Sequence, residues 1–290
     1  MQVLILGAGY SGKAIAKELL PQASRITGTT RSPEKRDDLK GLGIEALLYD
    51  GQAISPELAA AMGTATHLIQ SIAPGREGDP ILRLGFERMR AMMPALEWVG
   101  YLSTVGVYGD HKGGWVDEDA ECRPVSLRSR ERVEAEDGWV AFGAAAGIPV
   151  AILRLAGIYG PGRNTFRNLA EGTAKRLIKP DQVFNRIRVE DIAGATAFLI
   201  GRHAGGIFNI TDNEPAPPQD LVTLAADMMG VEPPPEVAFD DAELTPMARS
   251  FYGENKRVSN AKLRDAGYEM RFADYRASLS DLWQRDIWRG

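Results

Sequence analysis

The aliphatic run Val3-Leu4-Ile5-Leu6 passes directly into Gly7-Ala8-Gly9-Tyr10-Ser11-Gly12, and an amphipathic stretch beginning Lys13-Ala14-Ile15-Ala16 continues without a break. Few folds accommodate that order of strand, glycine turn and helix. In a GxGxxG spacing, Gly7 permits the tight turn, Gly9 lets the backbone approach a pyrophosphate, and Gly12 allows the helix to pack closely on the strand. Tyr10 and Ser11 lie at the helix start, where unpaired N–H groups face an anion. The reading is a dinucleotide-binding element, the plain alternative being a glycine-bearing turn with no ligand.

The downstream sequence sustains a parallel sheet. Further strand-length runs occur at 25–29, 44–48, 67–70, 99–102 and 150–153, each separated from the next by helix-like sequence or turn signals. Six strands in this rhythm specify an α/β fold, a Rossmann-type doubly wound parallel sheet. Ser32-Pro33-Glu34 and Ser55-Pro56-Glu57 each place a capping hydroxyl ahead of a proline, and each predicts a helix start. From residue 161 the pattern loosens and prolines gather at 215–218 and 233–235. The expected organisation is a dinucleotide-binding domain over 1–160, with roughly 186–203 returning to it, and a smaller, less regular substrate domain over 161–290.

Composition excludes several classes of partner. With 34 basic against 39 acidic residues the net charge is −5, and no block of like charge marks a nucleic-acid or membrane surface. The single cysteine, Cys122, cannot form an internal disulfide, and no window supplies the ~20 apolar residues of a membrane span. A cytoplasmic chain working on a small molecule, as a monomer or homodimer, is expected.

The choice of nucleotide turns on the end of the second strand. An acidic residue there would bind the ribose hydroxyls of NAD, but the sequence is Thr29-Thr30-Arg31-Ser32. A guanidinium beside a hydroxyl suits the 2′-phosphate of NADP, so Arg31 and Ser32 put NADP ahead of NAD, with Lys35 and Arg36 available in support. A solvated Arg31 is the alternative. Asp50-Gly51 comes after the third strand, where an adenine would be bordered or a simple turn formed.

Several later segments act together. Leu102 to Gly109 (LSTVGVYG), Arg154 to Gly162 (RLAGIYGPG), Arg186 to Ala193 (RIRVEDIA), Gly206 to Ile210 and Lys256 to Leu263 resemble, in order and spacing, the extended short-chain dehydrogenase/reductases, the NAD(P)-dependent epimerase/dehydratase family. The resemblance runs from residue 1 to about residue 280. It implies hydride transfer at a nicotinamide, assisted by a tyrosine acid/base, a lysine four residues on, and a serine or threonine ending the fifth strand. Thr104 takes the last of these places. Ser71, Ser103, Ala156 and Ile158 complete the cofactor set that it implies.

The resemblance departs from the family at its centre. Pro124 to Glu136 fits the frame of the catalytic helix, but Arg128 stands where tyrosine belongs and Arg132 where lysine belongs. An arginine keeps its proton at any working pH and cannot serve as the acid/base. The loop at 108–114 offers Tyr108 or His111 as a replacement proton donor. Tyr252 and Lys256 repeat the family spacing, in what reads as a surface turn.

The other candidates carry less. His67 reads as structural, His203 as a helix C-cap, and three histidines with one cysteine at no ligand spacing imply no metal. Arg163, Arg167, Lys175 and Arg176 come just after the Tyr-Gly-Pro-Gly turn, where the family holds a substrate's phosphate or sugar, although solvated helix charges explain them equally. Trp283 and Trp288 read as packing or an oligomer contact. The expected function is an NADP(H)-binding oxidoreductase or epimerase/dehydratase-like protein with a non-standard acid/base site. Its substrate would be an unidentified small molecule, a sugar nucleotide among the options. The competing expectation is a catalytically inactive NADP(H)-binding sensor. FAD, which the glycine spacing also serves, is disfavoured by the later segments.

Overall fold

The computed structural model describes residues 1–290, apart from the side chains of 246–248. The chain divides into two compact units. One contains Met1–Val107, Pro124–Leu155 and Ile192–Phe208, and the other Tyr108–Arg123, Ala156–Asp191 and Asn209–Gly290. The segment 108–123 thus groups with the second unit.

The first unit is built on parallel strands β1 (Gln2–Leu6), β2 (Arg25–Thr30), β3 (Glu45–Leu48), β4 (His67–Gln70) and β5 (Trp98–Thr104), joined by the later strands Val150–Leu155 and Gly206–Ile210. Their order across the sheet is 206–210, 150–155, β5, β4, β1, β2, β3. Every residue of the strand 150–155 and all but the first of β1 are buried, as aliphatic runs require when helices cover both faces, and the one charge among them, Arg154, is paired. Because β1 pairs with both β2 and β4, the winding reverses at β1, and in such sheets the carboxyl end of that strand is where ligands bind.

The helices obey their local signals unevenly. α1 (Tyr10–Leu19) buries Ile15, Ala16 and Leu19. α3 (Pro56–Thr64) begins as expected, with the Ser55 hydroxyl accepting the Leu58 N–H at 3.2 Å. α2 (Lys35–Gly41) does not. The Ser32 hydroxyl donates to the Glu34 carboxylate instead of capping, and residues 32–34 form a turn before the helix. α4 (Phe86–Met92) and α5 (Leu127–Ala146) complete one face of the sheet. Met89, Trp139 and Phe142 there pack with Leu4, Leu6, Val99, Tyr101 and Ile152.

An ion pair lies within this unit. Glu136 of α5 and Arg154, both below 5% exposed, meet at 2.7 Å, and Ser103 of β5 donates its hydroxyl to the same carboxylate. Three elements are therefore joined at one side chain.

The second unit has little sheet. Gly157–Tyr159 pairs with Arg186–Arg188, Arg176–Ile178 with Glu236–Ala238, and Trp115–Val116 with Arg257–Val258, all parallel. Phe166, Leu221, Ala225, Leu279, Leu282 and Trp288 form its apolar centre, so the terminal tryptophan packs inside this unit. Arg188 is fully buried, paired with Glu190 at 2.8 Å and Asp281 at 3.0 Å. Asp191 accepts the Tyr268 hydroxyl and the amides of Arg271 and Phe272. Residues 252–253 form the turn expected, but Lys256 is not at the surface: it is buried on the Gly109 carbonyl and Glu254, and Tyr252 stacks on Phe239. Among the described residues no helix is long and apolar enough to cross a membrane.

Removing one partner of a buried pair strands the other. Glu136→Ala is expected to destabilise the protein by about 3–5 kcal/mol, read as a lowered urea midpoint.

Candidate functional site

The glycine turn is built as a receptor for an anion. Gly7 has φ +85°, and a Cβ there would lie 3.2 Å from the Ile72 amide nitrogen. At Gly12 a Cβ would come within 3.0 Å of the Gly7 carbonyl oxygen and 3.2 Å of Ile5, so only glycine lets α1 start this close to β1. A Cβ at Gly9 would point into open space, meeting only the Gly7 oxygen at 4.0 Å, and the Gly9 N–H itself donates to that oxygen at 2.7 Å. No side chain caps α1 at Gly9 and no acidic residue occupies its first turn. The positive helix end, with Tyr10 and Ser11 at its start, is therefore available to a phosphate.

Sequence patterning does not reveal one member of this receptor. The Thr29 hydroxyl accepts the Gly7 N–H at 2.9 Å, and the Thr29 carbonyl accepts the Ala8 N–H at 2.8 Å. A buried threonine at the end of β2 thus fixes the turn from 22 residues away. The signal available was its place one residue before Thr30-Arg31. Ser71 continues β4 beside the turn, its N–H donating to the Leu6 carbonyl at 2.9 Å.

Arg31 is exposed, and it has no hydrogen-bond partner among the described residues. Ser32 carries the Glu34 carboxylate on its hydroxyl, which holds that acid below the usual range and puts a negative group three residues past Arg31. Asp50 accepts the Gln52 N–H at 2.9 Å, closing the Asp-Gly turn.

At the end of β5 the structure separates residues the sequence set side by side. Ser103 is buried and its hydroxyl is committed to the Glu136 carboxylate. Thr104 is half-buried, and its Oγ1 accepts the Gly106 N–H at 3.1 Å. Its own O–H has no acceptor among the described residues and can serve an oxygen brought to it. The Ser129 hydroxyl lies on the same side of Gly106, where a Cβ would meet it at 3.2 Å and Thr104 Oγ1 at 3.4 Å. Arg132, in the lysine place, donates to the Leu102 carbonyl and lies 5.8 Å from the Tyr101 ring centre. It is tied to β5. Arg128, in the tyrosine place, is exposed in the first turn of α5 without a partner among the described residues.

In the second unit Tyr108 is not the proton donor expected. Its phenol is fully buried and donates to Asn209 Oδ1 at 2.7 Å, a structural bond that leaves no proton for a ligand. His111 contacts the Tyr108 carbonyl at 3.1 Å. Ala156 is buried with its N–H on the Ile210 carbonyl, and Ile158 pairs with Ile187. Arg167 pairs with Glu171, Arg176 with Glu236, and Lys175 donates to the Glu243 carbonyl, so these cations have partners within their own unit. His67 is buried with Nδ1 2.8 Å from the Thr66 hydroxyl. No group of residues that could hold a metal ion occurs among the described residues.

The same unit as Tyr108 contains an unusual carboxyl. Asp212 is 1% exposed and burial pushes its pKa up to about 8 against the opposing pull of Arg186, with Glu214 and Asp274 adding to the rise. Its Oδ2 and the nearby Tyr159 hydroxyl are buried without a hydrogen-bond partner. Each such omission costs about 1–3 kcal/mol.

The glycine turn and the sheet around it define a Rossmann-type dinucleotide-binding protein. Residues 86–211 match the model of the NAD dependent epimerase/dehydratase family. Over that stretch the chain is similar to the family. It is 43% identical, at a TM-score of 0.88, to a functionally unknown conserved protein from Silicibacter pomeroyi DSS, covering 98% of this chain and 99% of that one. It is 29% identical to Protein YeeZ of Escherichia coli (strain K12), over 80% of this chain and 85% of YeeZ. In fold it also matches a UDP-glucuronic acid 4-epimerase from Bacillus cereus, solved in complex with NAD, at 17% identity and a TM-score of 0.77, covering 100% of this chain and 99% of that one.

Asp212 gives a pH dependence with a definite sign. The unfolded carboxyl releases its proton near pH 4, whereas the folded one keeps it to about pH 8. Between these values the native state binds more protons, so its contribution to stability is full at low pH and lost as pH rises. Wild-type thermal midpoints are expected to fall from about pH 5 to about pH 8, and Asp212→Asn is expected to flatten that slope.

Proposed function

We propose that this protein is an NADP(H)-dependent oxidoreductase of the epimerase/dehydratase type, working in the cytoplasm on a small molecule as a monomer or homodimer. The observation that carries the reading is the uncapped, acid-free start of α1 against Gly9, with the exposed Arg31 at the end of β2. The helix end, with the amides of Tyr10 to Gly12, holds the pyrophosphate, and Arg31 takes the 2′-phosphate. A bound nicotinamide supplies the hydride donor or acceptor. Thr104 presents its hydroxyl to the substrate oxygen and orients it. The likeness to a UDP-glucuronic acid 4-epimerase makes sugar nucleotides the first substrates to test.

A second reading rests on the two arginines. Arg132 is fixed to β5 rather than free to lower a phenol's pKa, and Arg128 has no titrating proton, which favours an NADP(H)-binding sensor without turnover.

Two experiments separate these ideas. In calorimetric titration, NADPH is expected to bind at least roughly tenfold more tightly than NADH, and Arg31→Ala to erase most of that ratio. An unchanged ratio removes Arg31 from the phosphate. The double change Arg128→Tyr with Arg132→Lys is then assayed at the nicotinamide absorbance with a sugar-nucleotide panel. Turnover gained only by the double variant supports the sensor reading, while turnover by the wild type excludes it.

A further inference from the structure

Tyr159, Arg186 and Asp212 make a polar corner of the second unit that the protein alone leaves incomplete. Gly157–Tyr159 and Arg186–Arg188 pair in parallel with Gly157 opposite Arg186, so positions 157, 159 and 186 share one face. Gly157 contributes no side chain to fill it. Asp212 joins them because its N–H donates to the Arg186 carbonyl at 2.8 Å.

The donors and acceptors at this corner do not close on one another. Arg186 uses Nη1 on the carbonyls of Phe184 and Ala216, at 3.0 and 2.9 Å, and its Nε and Nη2 have no partner among the described residues. Asp212 Oδ1 accepts the Glu214 N–H at 3.2 Å, but Oδ2 accepts nothing. The Tyr159 hydroxyl has no partner in hydrogen-bonding geometry either; the Ser278 hydroxyl near it accepts Arg188 at 3.1 Å and keeps its own proton to donate. Although Arg186 and Asp212 lie close enough to influence each other's charge, no ion pair joins them.

We propose that this corner is a ligand site for a hydroxylated carboxylic acid, its carboxylate on the free edge of Arg186 and a hydroxyl bridging Asp212 Oδ2 and the Tyr159 phenol. The Nε–Nη2 edge of a guanidinium presents two parallel N–H groups that match a carboxylate. A hydroxyl both donates and accepts, which is what a lone carboxyl oxygen beside a phenol requires. The proton that Asp212 retains at neutral pH removes its repulsion toward an acid held by Arg186. The inference gives the substrate of the proposed function a chemical class; it rests on that reading for turnover, but not for binding.

Calorimetric titration of the full-length protein with D-gluconate, hexanoate, sorbitol and inorganic phosphate tests it. Gluconate is expected to bind with a dissociation constant on the order of millimolar, and the acid without hydroxyls, the polyol without a charge and phosphate each at least roughly tenfold more weakly. Arg186→Gln, Asp212→Asn and Tyr159→Phe should each weaken gluconate by roughly tenfold. The last two are near-isosteric, and a retained thermal unfolding transition shows that they fold. No gluconate binding, equal binding of all four probes, or variants that bind as the wild type does would overturn the inference and leave the corner to water. NADPH titrated into the same samples keeps the readings apart. Binding of NADPH without gluconate sinks this site and leaves the cofactor assignment standing, and the converse result does the reverse.

Discussion

The carboxylate of Glu136 is the point on which the reactive end of the first unit depends. It is buried, and a buried charge is tolerated only when paired and hydrogen-bonded. Arg154 supplies the charge and Ser103 the further bond, so α5, β5 and the strand 150–155 cannot shift independently. Thr104 is the next residue after Ser103. Its half-buried position at the strand end is therefore inherited from a neighbour whose own hydroxyl is committed to structure. The register explains why two adjacent hydroxyls differ: successive side chains of a strand point to opposite faces. Ser103 points to Glu136 in the middle of α5, and Thr104 turns instead to the Gly106 N–H beside the first turn of that helix.

At the cofactor end the controlling constraint is steric. The close approach of α1 to β1 requires Gly12, and the turn between them requires a residue tolerant of positive φ at Gly7. Once these are met, the first amides of α1 point outward with no capping side chain, and a helix end in that state favours an anion. Thr29 then decides where the turn sits, by holding the N–H groups of Gly7 and Ala8. The anion receptor is thus a property of β1, β2 and α1 together rather than of the glycines alone.

The legibility of each feature in the sequence depends on the distance over which that feature is determined. Strands 2–6 and 67–70 stand where their aliphatic runs predict, because full burial on both faces leaves a local signature. The two Ser-Pro-Glu sequences look alike and behave differently. Ser55 leads directly into α3, whereas Ser32 lies just past the end of β2 and is captured by Glu34. The role of Tyr108 was illegible for another reason. Its partner Asn209 lies 101 residues further on, and nothing near Tyr108 announces that its hydroxyl is already engaged. Lys256, read as exposed, is buried by Gly109 in the same non-local way.

The two arginines of α5 differ in a way that bears on catalysis. A family tyrosine and lysine act as a pair because the cation stands free beside the phenol. Arg132 cannot repeat this, since its guanidinium is bonded to β5 through the Leu102 carbonyl. Arg128 is the opposite case. A cation in the first turn of a helix opposes the macrodipole, and without a partner among the described residues it gains nothing in return. An anion brought to that helix end would reverse the balance, satisfying both the guanidinium and the dipole. Replacement of the tyrosine by arginine removes the family's titrating proton from this helix.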